Sequence, residues 1–80
     1  MTQNEGIMVY PNPFGNELKI SGSGNRDGEV VLYDMMGKEI LREKIYNQET
    51  IFNTESISSG FYLLNFSDGN KTLNTKLLKF

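Results

Sequence analysis

The sequence predicts an all-β fold, a seven-stranded antiparallel Ig-like β-sandwich. Three observations carry that expectation. Glycines and other turn-formers recur about every eight to twelve residues between short apolar stretches. Two of those stretches, residues 29–34 (EVVLYD) and 61–66 (FYLLNF), hold apolar side chains at consecutive positions, as strands flanked on both sides in a sheet do. Between the second of them and the last apolar stretch stands Asp68-Gly69, a strong short-range hairpin signal.

Residues 7–10 (IMVY) read as the first strand, closed by Pro11, Asn12 and Pro13. Two prolines remove ladder donors and hold the chain extended, so this strand belongs at a sheet edge. In residues 17–21, polar Glu17, Lys19 and Ser21 alternate with Leu18 and Ile20, which gives one buried and one wet face. Residues 21–28 (SGSGNRDG) are a loop. In residues 29–34, Val30 and Leu32 share one face while Val31 and Tyr33 share the other. Asp34, Met35, Met36 and Gly37 form a tight connection, with Asp34 accepting backbone hydrogen bonds and Gly37 free to take a positive φ.

Residues 38–46 (KEILREKIY) support two readings, because Leu41 and Ile45 lie four apart and Glu, Lys, Arg and Leu favour helix. A strand fits better, since a hairpin after a glycine turn suits the β context on both sides. Residues 49–53 form a short strand, and residues 54–60 (TESISSG) a turn that places Ile57 under the core. Residues 61–66 follow, with Leu63 expected to be as much a core residue as Leu32. Residues 71–80 close the fold, with Leu73 and Leu77 on one face and Leu78 and Phe80 on the other.

Eighty residues make one domain, of a size at which a single core only just outweighs chain entropy. The composition, 38% hydrophobic and 22% charged, suffices for that core. A net charge of −2 leaves no excess of Lys and Arg to neutralise nucleic-acid phosphates or lipid headgroups. There is no Cys, hence no disulfide, thiol nucleophile or thiolate metal site. There is no His either, which removes the commonest general base, the commonest zinc ligand and the centre of a Ser/His/Asp triad.

The carboxylates are scattered, without a recognisable acid and base pair. Asn25, Arg26, Asp27 and Asp68, Gly69, Asn70 resemble pieces of calcium loops but lack the full ligand set and the closing Glu. Asn65 and Asn70 open glycosylation sequons, the first of them inside an expected strand. The chain therefore reads as a non-enzyme without cofactor, metal or small-molecule substrate. No apolar run approaches the ~18 residues of a membrane span, and no basic and apolar leader stands at the start. The opening Met1, Thr2, Gln3, Asn4 is compatible with a piece of a longer precursor. Residues 1–6 are read as linker and residues 7–80 as the domain.

Four motifs occur in order along the chain. Tyr10, Pro11, Asn12, Pro13 precede the Leu18 and Ile20 strand. Val31, Leu32, Tyr33, Asp34 lead into Gly37 and Lys38. Gly60, Phe61, Tyr62, Leu63, Leu64 follow a Ser-rich turn, and Lys76, Leu77, Leu78, Lys79, Phe80 end the sequence. In these motifs the chain resembles the type A C-terminal sorting domain of the type IX secretion system of Bacteroidetes, from Val9 to Phe80. The resemblance implies a secretion signal that takes an attached N-terminal cargo domain across the outer membrane. The implied partners are the type IX translocon, an outer-membrane shuttle protein and a sortase-like peptidase that removes the domain at the cell surface. The implied itinerary is the periplasm in transit, then the cell surface or the medium, with cleavage in the linker at Thr2 to Gly6.

Plainer readings stand beside these. Pro11, Asn12, Pro13 serve as a strand terminator, Asp34, Gly37, Lys38 as a turn, and Tyr33 and Tyr62 as core or rim aromatics. Lys76, Leu77, Leu78, Lys79 and Phe80 are assigned to translocon recognition, because a chain terminus seldom needs particular residues for stability. Two other functions fit the same fold: a structural Ig-like spacer, or a carbohydrate-binding module whose platform would come from Tyr10, Tyr33, Tyr46 and Tyr62.

Overall fold

The computed structural model describes residues 7–21, 28–45, 49–69 and 72–80, and among them the structure is all-β. Strands β1 (Met8–Tyr10), β2 (Glu17–Ser21) and β5 (Glu49–Asn53) form one sheet in the order β1-β2-β5. Strands β3 (Gly28–Asp34), β4 (Glu39–Ile45), β6 (Gly60–Ser67) and β7 (Thr72–Lys79) form the other, in the order β4-β3-β6-β7. All of these strand pairs are antiparallel. The chain changes sheet after β2, after β4 and again after β5. The residues read as linker (1–6), most of the first loop including Asn25, Arg26 and Asp27, and Tyr46 and Asn70 lie outside the described residues.

Two-residue periodicity decides what fills the sandwich. Leu18 and Ile20 of β2 and Phe52 of β5 face Val30 and Leu32 of β3, Tyr62, Leu64 and Phe66 of β6 and Leu77 of β7 in one core, with Phe14 wholly buried among them. β3 and β6 are paired on both sides, as their apolar runs suggest. Their outer faces differ. Val31 is only 4% exposed, whereas Phe61 and Leu63 are 50% and 40% exposed, so Leu63 is not the core residue expected.

β4 is a strand rather than a helix. A spacing of four is a multiple of two, so Leu41 and Ile45 fall on one face of a strand as well, and β3 offers a free edge to pair with. The register slips between Leu32 and Tyr33, where a bulge takes up Ile40. Gly28 has another use. A Cβ there would lie 2.5 Å from the Phe66 ring, so the glycine lets that ring pack against the backbone.

Candidate recognition surface

The register gathers the four motifs at one end of the four-stranded sheet. Asp34, Tyr62 and Leu77 share a row, Tyr33, Leu63 and Lys76 the next, and Gly60 lies opposite Lys79. The segment after β1 reaches this end too. Tyr10 closes β1, both peptide bonds that precede Pro11 and Pro13 are cis, and the chain then crosses from the first sheet to the free edge of β7. There the Asn12 side chain stands in for a strand: its Nδ2 donates to the Lys76 carbonyl at 3.3 Å and its Oδ1 accepts from Leu78 N–H at 3.0 Å. Phe14 continues with backbone bonds, donating to Leu78 O at 2.8 Å and accepting from Phe80 N at 2.9 Å. Prolines cannot donate, so the amide of Asn12 and the backbone of Phe14 make these contacts instead. The edge of β7 is thereby covered from Lys76 onward.

This contact alters the expected picture of the terminus. Read from the sequence, Lys79 stands beside Lys76 and Phe80 as an exposed recognition group on an easily frayed end. The strand instead alternates, with Leu77 and Lys79 turned inward and Lys76, Leu78 and Phe80 turned outward. Lys79 is 7% exposed and its Nζ donates to the Phe80 carbonyl at 3.3 Å. Its aliphatic stem is what the interior takes up, as long amphipathic side chains allow.

The turn residues have a local explanation. Asp34 Oδ1 accepts from the N–H groups of Met36 and Lys38, both at 2.9 Å, which locks the β3–β4 connection as an Asx turn. Gly37 sits at φ +88°, a conformation that a β-branched residue resists. Tyr62, read as a core or rim aromatic, is both buried and specifically bonded. Its hydroxyl donates to the Ser58 carbonyl at 2.6 Å, four residues upstream, and its ring meets Phe14 edge-on at 6.4 Å. This is the tyrosine corner of Ig-like sandwiches, at the same crossover into the sixth strand. Its signal in the sequence is a Tyr two residues beyond the Gly that ends a Ser-rich turn.

Two residues escape a reading of the sequence, Thr54 and Phe14. Thr54 is fully buried, donates its hydroxyl to the Gly15 carbonyl at 2.7 Å and its N–H to Asn16 O at 2.9 Å, and so ties the β5–β6 turn to the β1–β2 loop. A polar residue at a strand end gives no local sign of such a bond. Ile57 packs against the core but is only partly buried.

On the outer face of the four-stranded sheet, Lys76 Nζ lies 4.7 Å from the centroid of the Phe61 ring, a cation–π contact. Asn65 donates to Asn74 at 2.7 Å across β6 and β7. Arg42 bridges Glu29 and Glu39 at 2.7 and 2.9 Å. The hydrogen bond from Arg42 holds the Glu39 carboxyl below its usual range, and the two carboxylates push the guanidinium up.

A shallow cleft of about 280 Å³ lies between β4 and the β5–β6 turn, lined by Ile40, Leu41, Asn53, Ser56, Ile57, Ser58 and Tyr62. The residues that line it include no carboxylate or amine to act as a base for its serines, and the Tyr62 hydroxyl is already committed. Of the tyrosines proposed as a sugar platform, Tyr10 and Tyr33 lie on different sheets and Tyr62 is buried.

Residues 8–79 match the family model described as the secretion system C-terminal sorting domain. No curated protein matches the chain. Among solved structures it is similar to PorZ of Porphyromonas gingivalis, described as an essential bacterial surface component of the type IX secretion system. The TM-score is 0.78 at 21% identity, over 94% of this chain and 11% of that one. At that identity the likeness speaks for the fold.

Proposed function

The chain belongs to the family of secretion system C-terminal sorting domains, and from that premise we propose the route its cargo takes and the proteins that handle it. The domain is a type IX sorting signal, and what it is attached to is exported to the cell surface or released. On our reading the cargo first crosses the inner membrane by an ordinary signal peptide and passes through the periplasm. The translocon and an outer-membrane shuttle protein then take it up by this domain. A sortase-like surface peptidase removes the domain by a cut in the linker, within Thr2 to Gly6.

The observation that carries this reading is the family match over residues 8–79, which spans both the Tyr10–Pro13 motif and the Lys76–Lys79 strand that it covers. The test is a pulse-chase of a signal peptide, fluorescent cargo and residues 1–80, which keep the whole of the Thr2 to Gly6 linker, in a bacterium that has the secretion system. A periplasmic precursor should chase into extracellular cargo lacking the domain, and should accumulate when the translocon is disabled. Cargo that leaves with the domain intact would overturn the peptidase step. Export that persists without the translocon would overturn the route.

A further inference from the structure

The two outer faces of the sandwich are unlike. On the three-stranded sheet Glu17, Lys19, Ser21, Glu49 and Asn53 alternate outward, and Tyr10 is tied to Glu49 and lies under Lys19. Its exposed apolar residues, Met8 and Ile51, stand in different rows of the register and are separated by polar neighbours. On the four-stranded sheet the outward residues are contiguous instead. Tyr33 is opposite Leu63, Phe61 is opposite Leu78, and Phe80 lies two residues beyond Leu78. Phe61, Leu63 and Phe80 are 50%, 40% and 71% exposed. A half-wet sheet has no need of large apolar residues on its solvent side, and contiguous ones mark a contact surface.

We propose that this face, built from Tyr33, Phe61, Leu63, Lys76, Leu78 and Phe80, is where the domain is docked. Its partner is a protein surface of apolar side chains that supplies a carboxylate to Lys76. The proposal rests on the sorting function and identifies the surface that carries it. Three of the residues assigned to recognition, Lys76, Leu78 and Phe80, fall on this face, while Leu77 and Lys79 belong to the interior.

Charge decides the occupant. Lys76 lies over the Phe61 ring within the apolar patch, and among the described residues no carboxylate pairs with it. Arg42, on β4 of the same sheet, is already paired with Glu29 and Glu39. An apolar partner with an acidic residue would bury the patch and complete the charge pair. A second copy of this chain fits worse. The same patch on a second copy, Tyr33, Phe61, Leu63, Lys76, Leu78 and Phe80, contains no side-chain carboxylate to pair with Lys76.

The test uses the exported fusion, with Leu63→Gln and Lys76→Glu on this face and Ile51→Gln and Glu17→Lys on the opposite one. Thermal melts of the isolated variants establish that each is folded. The exported fraction should fall at least about tenfold for the first pair, stay at the wild-type level for the second, and be kept by Lys76→Arg. Export of Leu63→Gln and Lys76→Glu at the wild-type level would overturn the proposed face while leaving the sorting function intact. Failure of the unaltered fusion to export would overturn the sorting function itself, and this proposal with it. A dimer in sedimentation that Leu63→Gln dissociates would overturn the choice of partner.

Discussion

Leu32 and Leu63 look alike in the sequence, each inside a six-residue apolar stretch, yet Leu32 is wholly buried and Leu63 is 40% exposed. Leu32→Ala should therefore cost about 2 to 5 kcal/mol through lost burial and the cavity left behind. Leu63→Ala should cost clearly less, about 1 kcal/mol. Urea unfolding checks both, and equal losses would mean the faces of β6 are misassigned. The Gly37 prediction rests on backbone alone, since nothing lies within 4 Å of a Cβ placed there and φ is +88°. Gly37→Val should destabilise by about 1 to 3 kcal/mol for that reason. An unchanged melting temperature would contradict that geometry. Arg42 offers the opposite case. The Glu39 carboxyl is lowered by its hydrogen bond to Arg42, so the pair stabilises the fold above the ordinary carboxylate range and is lost as pH falls through the lowered value. Both side chains are exposed, so wild type and Arg42→Gln should have nearly equal melting temperatures at neutral pH and converge in acid. A gap that widens in acid would reverse the sign.

At the scale of elements, every strand expected from the sequence is present, with boundaries that agree to within one residue. Turn chemistry explains that success: proline pairs, Asp34 with Gly37, and Asp68 with Gly69 mark strand ends by local conformational preference. The links between elements were not legible. The bonds from Asn12 to Lys76 and Leu78 span 64 and 66 residues, and no local pattern encodes them. They change what a truncation does. Removing Lys79 and Phe80 deletes a backbone bond to Phe14 and a buried lysine stem. It should therefore destabilise the domain by about 1 to 3 kcal/mol rather than leave it untouched. Asn12→Ala should cost about 1 to 2 kcal/mol by a separate route to the same strand. A thermal melt of each compared with wild type decides this, and an unchanged truncation would mean that the end of β7 is held by nothing important. Loss of export on truncation alone therefore cannot separate address from scaffold, whereas the outward substitution Phe80→Ser can.

For the molecule as a whole, composition removed most catalytic chemistries, and four motifs in order pointed to the family that the match over residues 8–79 establishes. What the sequence could not divide was the terminal motif itself. Read along the chain, its five consecutive residues share one role, whereas strand alternation splits them into an interior pair and an outward trio. That split needs the knowledge of which face of β7 meets the core, which only the packed sandwich supplies. The most direct measurement of the central claim is gain of export by a cargo that has none of its own. A fluorescent protein behind a signal peptide is expressed in a bacterium with the type IX system, with and without residues 5–80 at its C-terminal end. The account predicts fluorescence outside the outer membrane only when the domain is attached, and cargo held in the periplasm despite the attached domain would contradict it.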